Sequence, residues 1–365
     1  MSELNLQQMS KALSLSEIKD DFVKELVDAK AGLTTSLPFI LNQLPLSPLV
    51  QDNQVFQVLT IGGSVCRKAL IKKVGNQLEA IGKEEKFQPN FTNIDSFLEF
   101  ILAELSPDVE VLAINLAQAL DPVWENGKLD GVLINGSKES QFDGLVGKKV
   151  GLEIERYIKE KTDRTVKVSV ANDTLCLLLS GLTLDSWDKL VGGIVGTGLN
   201  FAFFLEQDKA VNLEAAEFNK FPLSQEAQII DQESSNPGKH VLEKEVAGGY
   251  LFQHFNLIAK QQNLEIDPLT STQQLDELIE NDGELGQIAQ TVVTSSAQKI
   301  AAVVAAIAEF KNQDITVIME GSLFWKGKGY KEIVEQEVKS LVPQFQVEFK
   351  HVEDSTVMGG AKLVA

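Results

Sequence analysis

The chain has 365 residues, of which 44% are hydrophobic, and carries a formal net charge of −19. That length suggests two cores of roughly 150 to 200 residues each. The acidic balance argues against nucleic acid or anionic lipid as a general partner, but not against a phosphate ligand held by local N–H groups. Two separated cysteines and three lone histidines provide no metal-ligand spacing and fit a reducing cytoplasm. No run reads as the roughly 18 apolar residues of a membrane span, and the first residues lack the pattern of a secretory signal.

Residues 16–30 place Ile18, Phe22, Leu26 and Val27 on one helical face, with Ser14 or Ser16 as cap and Gly32 as the stop. Residues 41–53, with two prolines, read as a connector. From Val55 the chain reads strand, Gly-Gly-Ser turn, strand, and NQLEAIG continues as a third strand or edge. Residues 94–105 are helical, VEVLAINL and DGVLING are strands, 145–160 is helical, and VKVSVAND is a strand with a polar end. A buried helix opens at Leu175. The segment 190–206 repeats the earlier grammar of strand, glycine turn and strand. Residues 240–261 and 285–310 are long helical stretches, DITVIMEGSLFWK is strand, turn and helix, and the end is strand, loop and short helix. Two strand–turn–strand hairpins, each followed by strands and helices, amount to an internal duplication. They predict an α/β protein built from two halves with a cleft between them, a common place for a ligand.

Four glycine sites fall at strand ends: Gly62-Gly63-Ser64, Gly196-Thr197-Gly198, Gly321-Ser322 and Gly359-Gly360. Glycine allows close backbone approach, and successive N–H groups make an anion-binding concavity. Any one of these alone is more often an ordinary turn, and none is a Walker loop. Four together suggest a nucleotide. Asn172-Asp173-Thr174 closes one strand before a helix. Such an aspartate can take a proton from a hydroxyl nucleophile, although an Asx residue there usually caps the helix.

Taken in order, these segments resemble the hexokinase family of the sugar kinase, actin and heat-shock ATPase superfamily. IGGSVCR (61–67) and GGIVGTGLN (192–200) resemble its two phosphate motifs, and VANDT (170–174) its catalytic strand end. VNLEAAEF (211–218) and SSNPGKHVLEKEVAGGYL (234–251) resemble the segments that carry sugar-binding glutamates. EGSLFWKGKGY (320–330) and EDSTVMGGAKLVA (353–365) resemble the adenosine region, and LPFI (37–40) the entry segment.

The resemblance implies a two-lobed actin-like ATPase (ribonuclease H-like) α/β fold with a mixed sheet in each lobe and a cleft between them. The large lobe would comprise 1–52 and 172–355, and the small lobe 53–171 and 356–365. It further implies an ATP-dependent hexose kinase of the cytoplasm, a monomer or homodimer, using ATP and Mg²⁺. Asp173 would be the general base. Ser137, Lys138, Asn172, Asn200, Glu214 and Glu243 would bind the sugar. Gly62, Gly63, Ser64, Arg67, Gly196, Thr197 and Gly198 would hold the ATP phosphates, with Gly321, Ser322 and Gly360 on the adenosine side. No protein metal ligand is assigned.

Departures from the family pattern lie on the metal side. Thr60 stands where the family has an aspartate that holds magnesium through water, and Val65 replaces an asparagine. Asn115 and Ala117 replace a serine and a proline, and Glu320 an aspartate. These departures favour sugar binding over fast catalysis. A sugar-binding regulatory or structural protein with little kinase activity is the alternative, and an actin-like ATPase with another partner a weaker third.

Overall fold

The computed structural model describes residues 14–62, 65–136, 140–280 and 283–365. Helix Leu15–Lys30 starts at Ser14, whose hydroxyl accepts the Glu17 amide while Glu17 reaches back to the Ser14 amide. This capping box sets where the helix begins.

The described residues hold thirteen strands: β1 (Ile40–Gln43), β2 (Val55–Ile61), β3 (Val65–Val74), β4 (Gln77–Phe87), β5 (Val111–Leu116), β6 (Leu120–Glu125), β7 (Lys128–Leu133), β8 (Lys167–Asn172), β9 (Leu190–Val195), β10 (Leu199–Glu206), β11 (Lys209–Asn212), β12 (Ile315–Glu320) and β13 (Val347–Lys350). One sheet runs β4-β3-β2-β5-β8, another β1-β11-β10-β9-β12-β13, and β6 pairs with β7. In the five-stranded sheet β2, β3 and β4 are antiparallel neighbours, while β5 and β8 join in parallel on the other side. The order β11-β10-β9-β12-β13 has the same plan: three strands linked by turns, then two reached by crossovers. The duplication inferred from the two glycine turns is therefore present in the topology.

By contact density the chain forms two units. One contains residues up to Phe39, Ile194–Phe201 and Leu213–Phe349; the other Ile40–Gly193, Ala202–Asn212 and Lys350–Ala365. In the first, the Ala-rich segment becomes one helix, Glu284–Lys311, with sixteen buried residues. Contrary to the sequence reading, this helix is long and apolar enough to cross a membrane by length and composition. Yet 72% of its most apolar window is buried within the protein, as in a core helix. In the second unit, the core between the five-stranded sheet and helices Ile94–Glu104 and Val150–Thr162 includes Phe91, Phe97 and Phe142. Their rings meet edge-on or tilted at 5.3–5.6 Å.

Several local expectations change. The connector 41–53 contains β1, which pairs with β11 from Ile40↔Asn212 to Gln43↔Lys209. The helix expected over 145–160 is Val150–Thr162, because Gly144 and Gly147 take positive φ in the turns before it. The stretch 240–261 is two helices, Val241–Val246 and Leu251–Gln261, separated at Gly248-Gly249.

Candidate active site

The turn Gly196–Gly198 joins β9 to β10, and the Gly196 amide donates to the Gly198 carbonyl at 3.1 Å. Its other carbonyls are held from outside. The Gly196 carbonyl accepts from the Gly248 amide at 2.7 Å and the Thr197 carbonyl from the Gly249 amide at 3.1 Å. A Cβ on Gly248 would lie 2.8 Å from the Gly196 oxygen, and one on Gly249 the same distance from the Thr197 oxygen. The helix break at 247–250 thus supplies the clamp for the turn. Gly321 closes on the turn from β12. Its φ of +115° and a would-be Cβ only 2.1 Å from the Val195 oxygen exclude any side chain there.

These backbones open on a cavity of about 980 Å³ lined by Gly196, Thr197, Gly248, Gly249, Phe252 and Ser322, and continuing past Thr272 and Asp276 to Lys326 and Lys328. Three residues assigned from sequence to nucleotide binding, Gly196, Thr197 and Ser322, therefore share one cavity. Thr272 Oγ1 donates to the Gly248 carbonyl at 2.5 Å, fixing helix Thr272–Leu278 beside the clamp. One turn further on, Asp276 accepts the Lys328 amide at 3.3 Å.

The sugar-side candidates of the same unit adjoin this turn. Glu243 Oε2 accepts the Leu199 amide at 3.1 Å and would lie 3.0 Å from a Cβ on Gly198. Asn200 Oδ1 accepts the amides of Phe201 at 2.7 Å and Ala215 at 3.2 Å, so it holds the loop directly after Glu214. Glu214 itself is left-handed, with φ +49°. The structure thus brings Asn200, Glu214 and Glu243 to one end of β10. Burial pushes the Glu243 carboxyl up, against the Leu199 amide and the nearby His240 and Lys244, which favour its charged form.

In the other unit, β8 ends at Asn172 and helix Asp173–Ser180 begins. Asn172 is the cap: its Oδ1 accepts the Thr174 amide at 2.9 Å, and its Nδ2 donates to the Gln118 carbonyl at 3.2 Å. Asp173 is the first helical residue, and its Oδ1 accepts from Thr174 N at 2.7 Å and Oγ1 at 3.2 Å. Capping thus falls to Asn172, the residue before Asp173. Burial pushes the Asp173 carboxyl above its ordinary value while the Thr174 and Asn172 groups pull it down. Some of its surface stays open to solvent.

The first hairpin is described up to Gly62 and again from Val65. Gly62 donates to the Val65 carbonyl at 3.4 Å, and Gln88 Nε2 donates to the Gly62 carbonyl at 2.7 Å. Gly63, Ser64, Ser137 and Lys138 lie outside the described residues. Thr60 is buried, opposite both Arg67 and Asn115, and its Oγ1 accepts the Arg67 amide at 3.2 Å. The Arg67 guanidinium is paired with Glu85 at 2.7 Å. Gly360 is buried in helix Ser355–Lys362, where a Cβ would meet Val58 at 2.7 Å. Sequence reasoning passed over Gly248 and Gly249. The Gly-Gly step in VAGGYL was the available signal, since a paired glycine inside a helical pattern marks a break or a close approach.

Comparison with known proteins points to hexokinases. A hexokinase family model matches residues 265–365. The chain is 27% identical over 261 residues to Hexokinase-2 of Oryza sativa subsp. japonica, covering 62% of this chain and 53% of that protein. It is 25% identical over 431 aligned positions to a hexokinase of Emericella nidulans, covering 96% and 87%. The chain thus spans about half the length of the rice relative and most of the fungal one. Among solved structures, a Schistosoma mansoni hexokinase complexed with glucose superposes with a TM-score of 0.76 at 19% identity, covering 96% and 95%. A ROK hexokinase from Thermus thermophilus gives 0.58 at 15% identity, over 85% and 98%. The fold is the mixed α/β architecture of these hexokinase structures. In sequence the chain is similar to hexokinases, through the family model over its last hundred or so residues and through relatives at 25–27% identity.

Proposed function

We propose that this protein transfers the γ-phosphoryl group of ATP to the 6-hydroxyl of glucose or a related hexose. The observation that carries the reading is the junction at Gly198. There a turn opening on a nucleotide-sized cavity and the Glu243 carboxylate meet through the Leu199 amide. A phosphate-binding turn sharing a backbone with a hydroxyl-binding carboxylate is what transfer between a nucleotide and a sugar requires.

In this reading Glu214, Glu243, Asn172 and Asn200, with Ser137 and Lys138, accept from and donate to the sugar hydroxyls. A missing hydroxyl leaves one of these groups unpaired, so the site selects its sugar by hydrogen-bond complementarity. Asp173, with its carboxyl raised by burial, takes the proton from the attacking hydroxyl as the oxygen–phosphorus bond forms and ADP leaves. The Gly196–Gly198 turn and Gly62 to Ser64 receive the phosphates, and Ser322 lies at the nucleoside cavity.

Mg²⁺ would be carried by the nucleotide, whose phosphate oxygens suit a hard cation that keeps several waters. Bound there, it would neutralise charge on the transferring phosphoryl group. Thr60, neutral and already bonded to the Arg67 amide, adds no charge to that task. The same observation supports the second reading, a sugar-binding protein with slow turnover. We place the protein in the cytoplasm on this reading. The deciding experiment is ADP release with glucose, ATP and Mg²⁺ by wild type and Asp173→Ala, alongside glucose calorimetry on both. Turnover lost in the variant with binding kept supports the kinase. Glucose binding without turnover in wild type supports the second reading.

A further inference from the structure

Helix Val241–Val246 has six residues, too few to be stable by itself, yet it carries Glu243. Its backbone ends are tied elsewhere. The His254 ring donates from Nε2 to the Lys244 carbonyl at 2.8 Å, and Ser296 Oγ donates to the Val246 carbonyl at 2.6 Å. The Tyr330 hydroxyl stands behind Ser296 at 2.8 Å and completes the chain. These contacts hold the C-terminal end of the helix. Its flank is held by charge.

Lys244 has no solvent exposure. Its ammonium donates to Asp231 Oδ1 at 2.7 Å, Ser234 Oγ at 3.0 Å and the Asn236 carbonyl at 2.9 Å, so all three protons are used. Beside it, Glu245 is buried, accepts from Ser224 N at 3.0 Å and Oγ at 2.9 Å, and pairs with Lys299 at 3.0 Å. Burying an ammonium costs several kcal/mol before pairing, and an apolar chain of similar volume would fill the space at less cost. A fully satisfied buried ion earns its place when it fixes one arrangement among several. The three acceptors lie on helix Gln225–Glu233 and the loop after it, so they fix the rotation of the short helix about its own axis. On a helix, adjacent residues project about 100° apart, so setting Lys244 into this pocket sets the direction of Glu243 as well.

We propose that Lys244 is a positioning residue for sugar recognition: its buried pairing with Asp231 turns Glu243 towards Leu199 and the bound sugar. The inference rests on the hexose-kinase reading of Glu243. It differs from a stability role in what it moves. A slack Lys244 pocket lets Glu243 rotate away from the sugar, while the Gly248 and Gly249 clamp on the phosphate turn keeps its own hydrogen bonds.

The test compares wild type, Lys244→Met and the milder Asp231→Asn, which keeps the pocket filled, removes the charge and replaces one of the two oxygens that accept the Gly238 amide. Glucose affinity is measured by calorimetry, and KM for glucose and for ATP by ADP release. The expected result is a glucose KM raised roughly tenfold to a hundredfold with ATP KM changed less than about twofold. A folded Asp231→Asn protein with lowered Tm but unchanged glucose affinity would overturn the positioning role and leave the kinase reading intact. So would equal losses for glucose and ATP. Wild type that binds no hexose would remove both.

Discussion

Glu243 Oε2 accepts the amide of Leu199 at 3.1 Å, the residue immediately after Gly198. Glu243→Gln keeps an acceptor oxygen for Leu199 and loses the charge. We expect glucose affinity to fall about tenfold, the worth of a charge-assisted hydrogen bond, with ATP affinity little changed. Glu243→Ala loses both and should cost more. Calorimetry with glucose and with a non-hydrolysable ATP analogue measures each.

Asp173 links activity to pH. Its folded-state carboxyl lies above the ordinary value of 3.8, chiefly through burial. As base it must be ionised, so kcat should fall on acidification at a pH above the usual aspartate range. For stability the sign is opposite. A raised folded value means the native state holds the proton more tightly than the unfolded chain. The stabilisation is therefore present below about 3.8 and lost as pH rises through the folded value. Asp173→Asn should abolish turnover, raise Tm at neutral pH, and lose that advantage as pH falls towards 4. A scan of Tm against pH for both proteins reads this out, and identical curves would show that Asp173 is not strained by its site.

Thr60 tests the metal end. Its hydroxyl already accepts the Arg67 amide, an acceptor duty that a carboxylate can also perform. Thr60→Asp should raise kcat at saturating Mg²⁺ and lower the Mg²⁺ concentration needed for half activity. It should also lower Tm modestly, because the site is buried. An unchanged Mg²⁺ dependence would place metal binding on other groups.

Gly321→Ala places a methyl 2.1 Å from the Val195 carbonyl at a φ of +115°. β9, which leads into the Gly196–Gly198 turn, must shift. The expected cost is on the order of 3 kcal/mol or more in stability. The chemical denaturation midpoint checks it, and any folded fraction should show weakened ATP binding before weakened glucose binding.

The fold was legible where punctuation was strong. Gly62-Gly63-Ser64 and Gly196-Thr197-Gly198 marked both hairpins, and the duplicated order of strands followed from them. Strands β1, β6 and β11 were not legible. They are four to six residues long, and β1 pairs only because Ile40 to Gln43 finds β11 from far along the chain. Asn172 and Asp173 were visible as a pair, but only hydrogen bonds could tell that Asn172 caps while Asp173 stays available. The Gly248 and Gly249 clamp depends on carbonyls about fifty residues earlier, and the fixing of Glu243 on a lysine that pattern alone assigns to solvent. Periodicity reports on one face of one element. It does not report which distant groups a buried ammonium meets.

The division of the chain between its two units also bears on how the protein folds. Each unit takes in segments from both the early and late parts of the chain. Helix Ser355–Lys362 sits so close to helix Asp173–Ser180 that a Cβ on Gly359 would overlap the Cys176 carbonyl at 1.8 Å, while Gly360 meets β2. During synthesis the five-stranded sheet is therefore left with an uncovered apolar face until residues beyond 350 emerge. The aliphatic helix Glu284–Lys311 meanwhile waits for β12 and helix Tyr330–Leu341. Assembly has to close long loops late, which slows it and exposes apolar surface on the way. Slow refolding is thus the expected consequence of the same interleaving that seats Gly359 against the helix opening at Asp173 and Gly360 against β2.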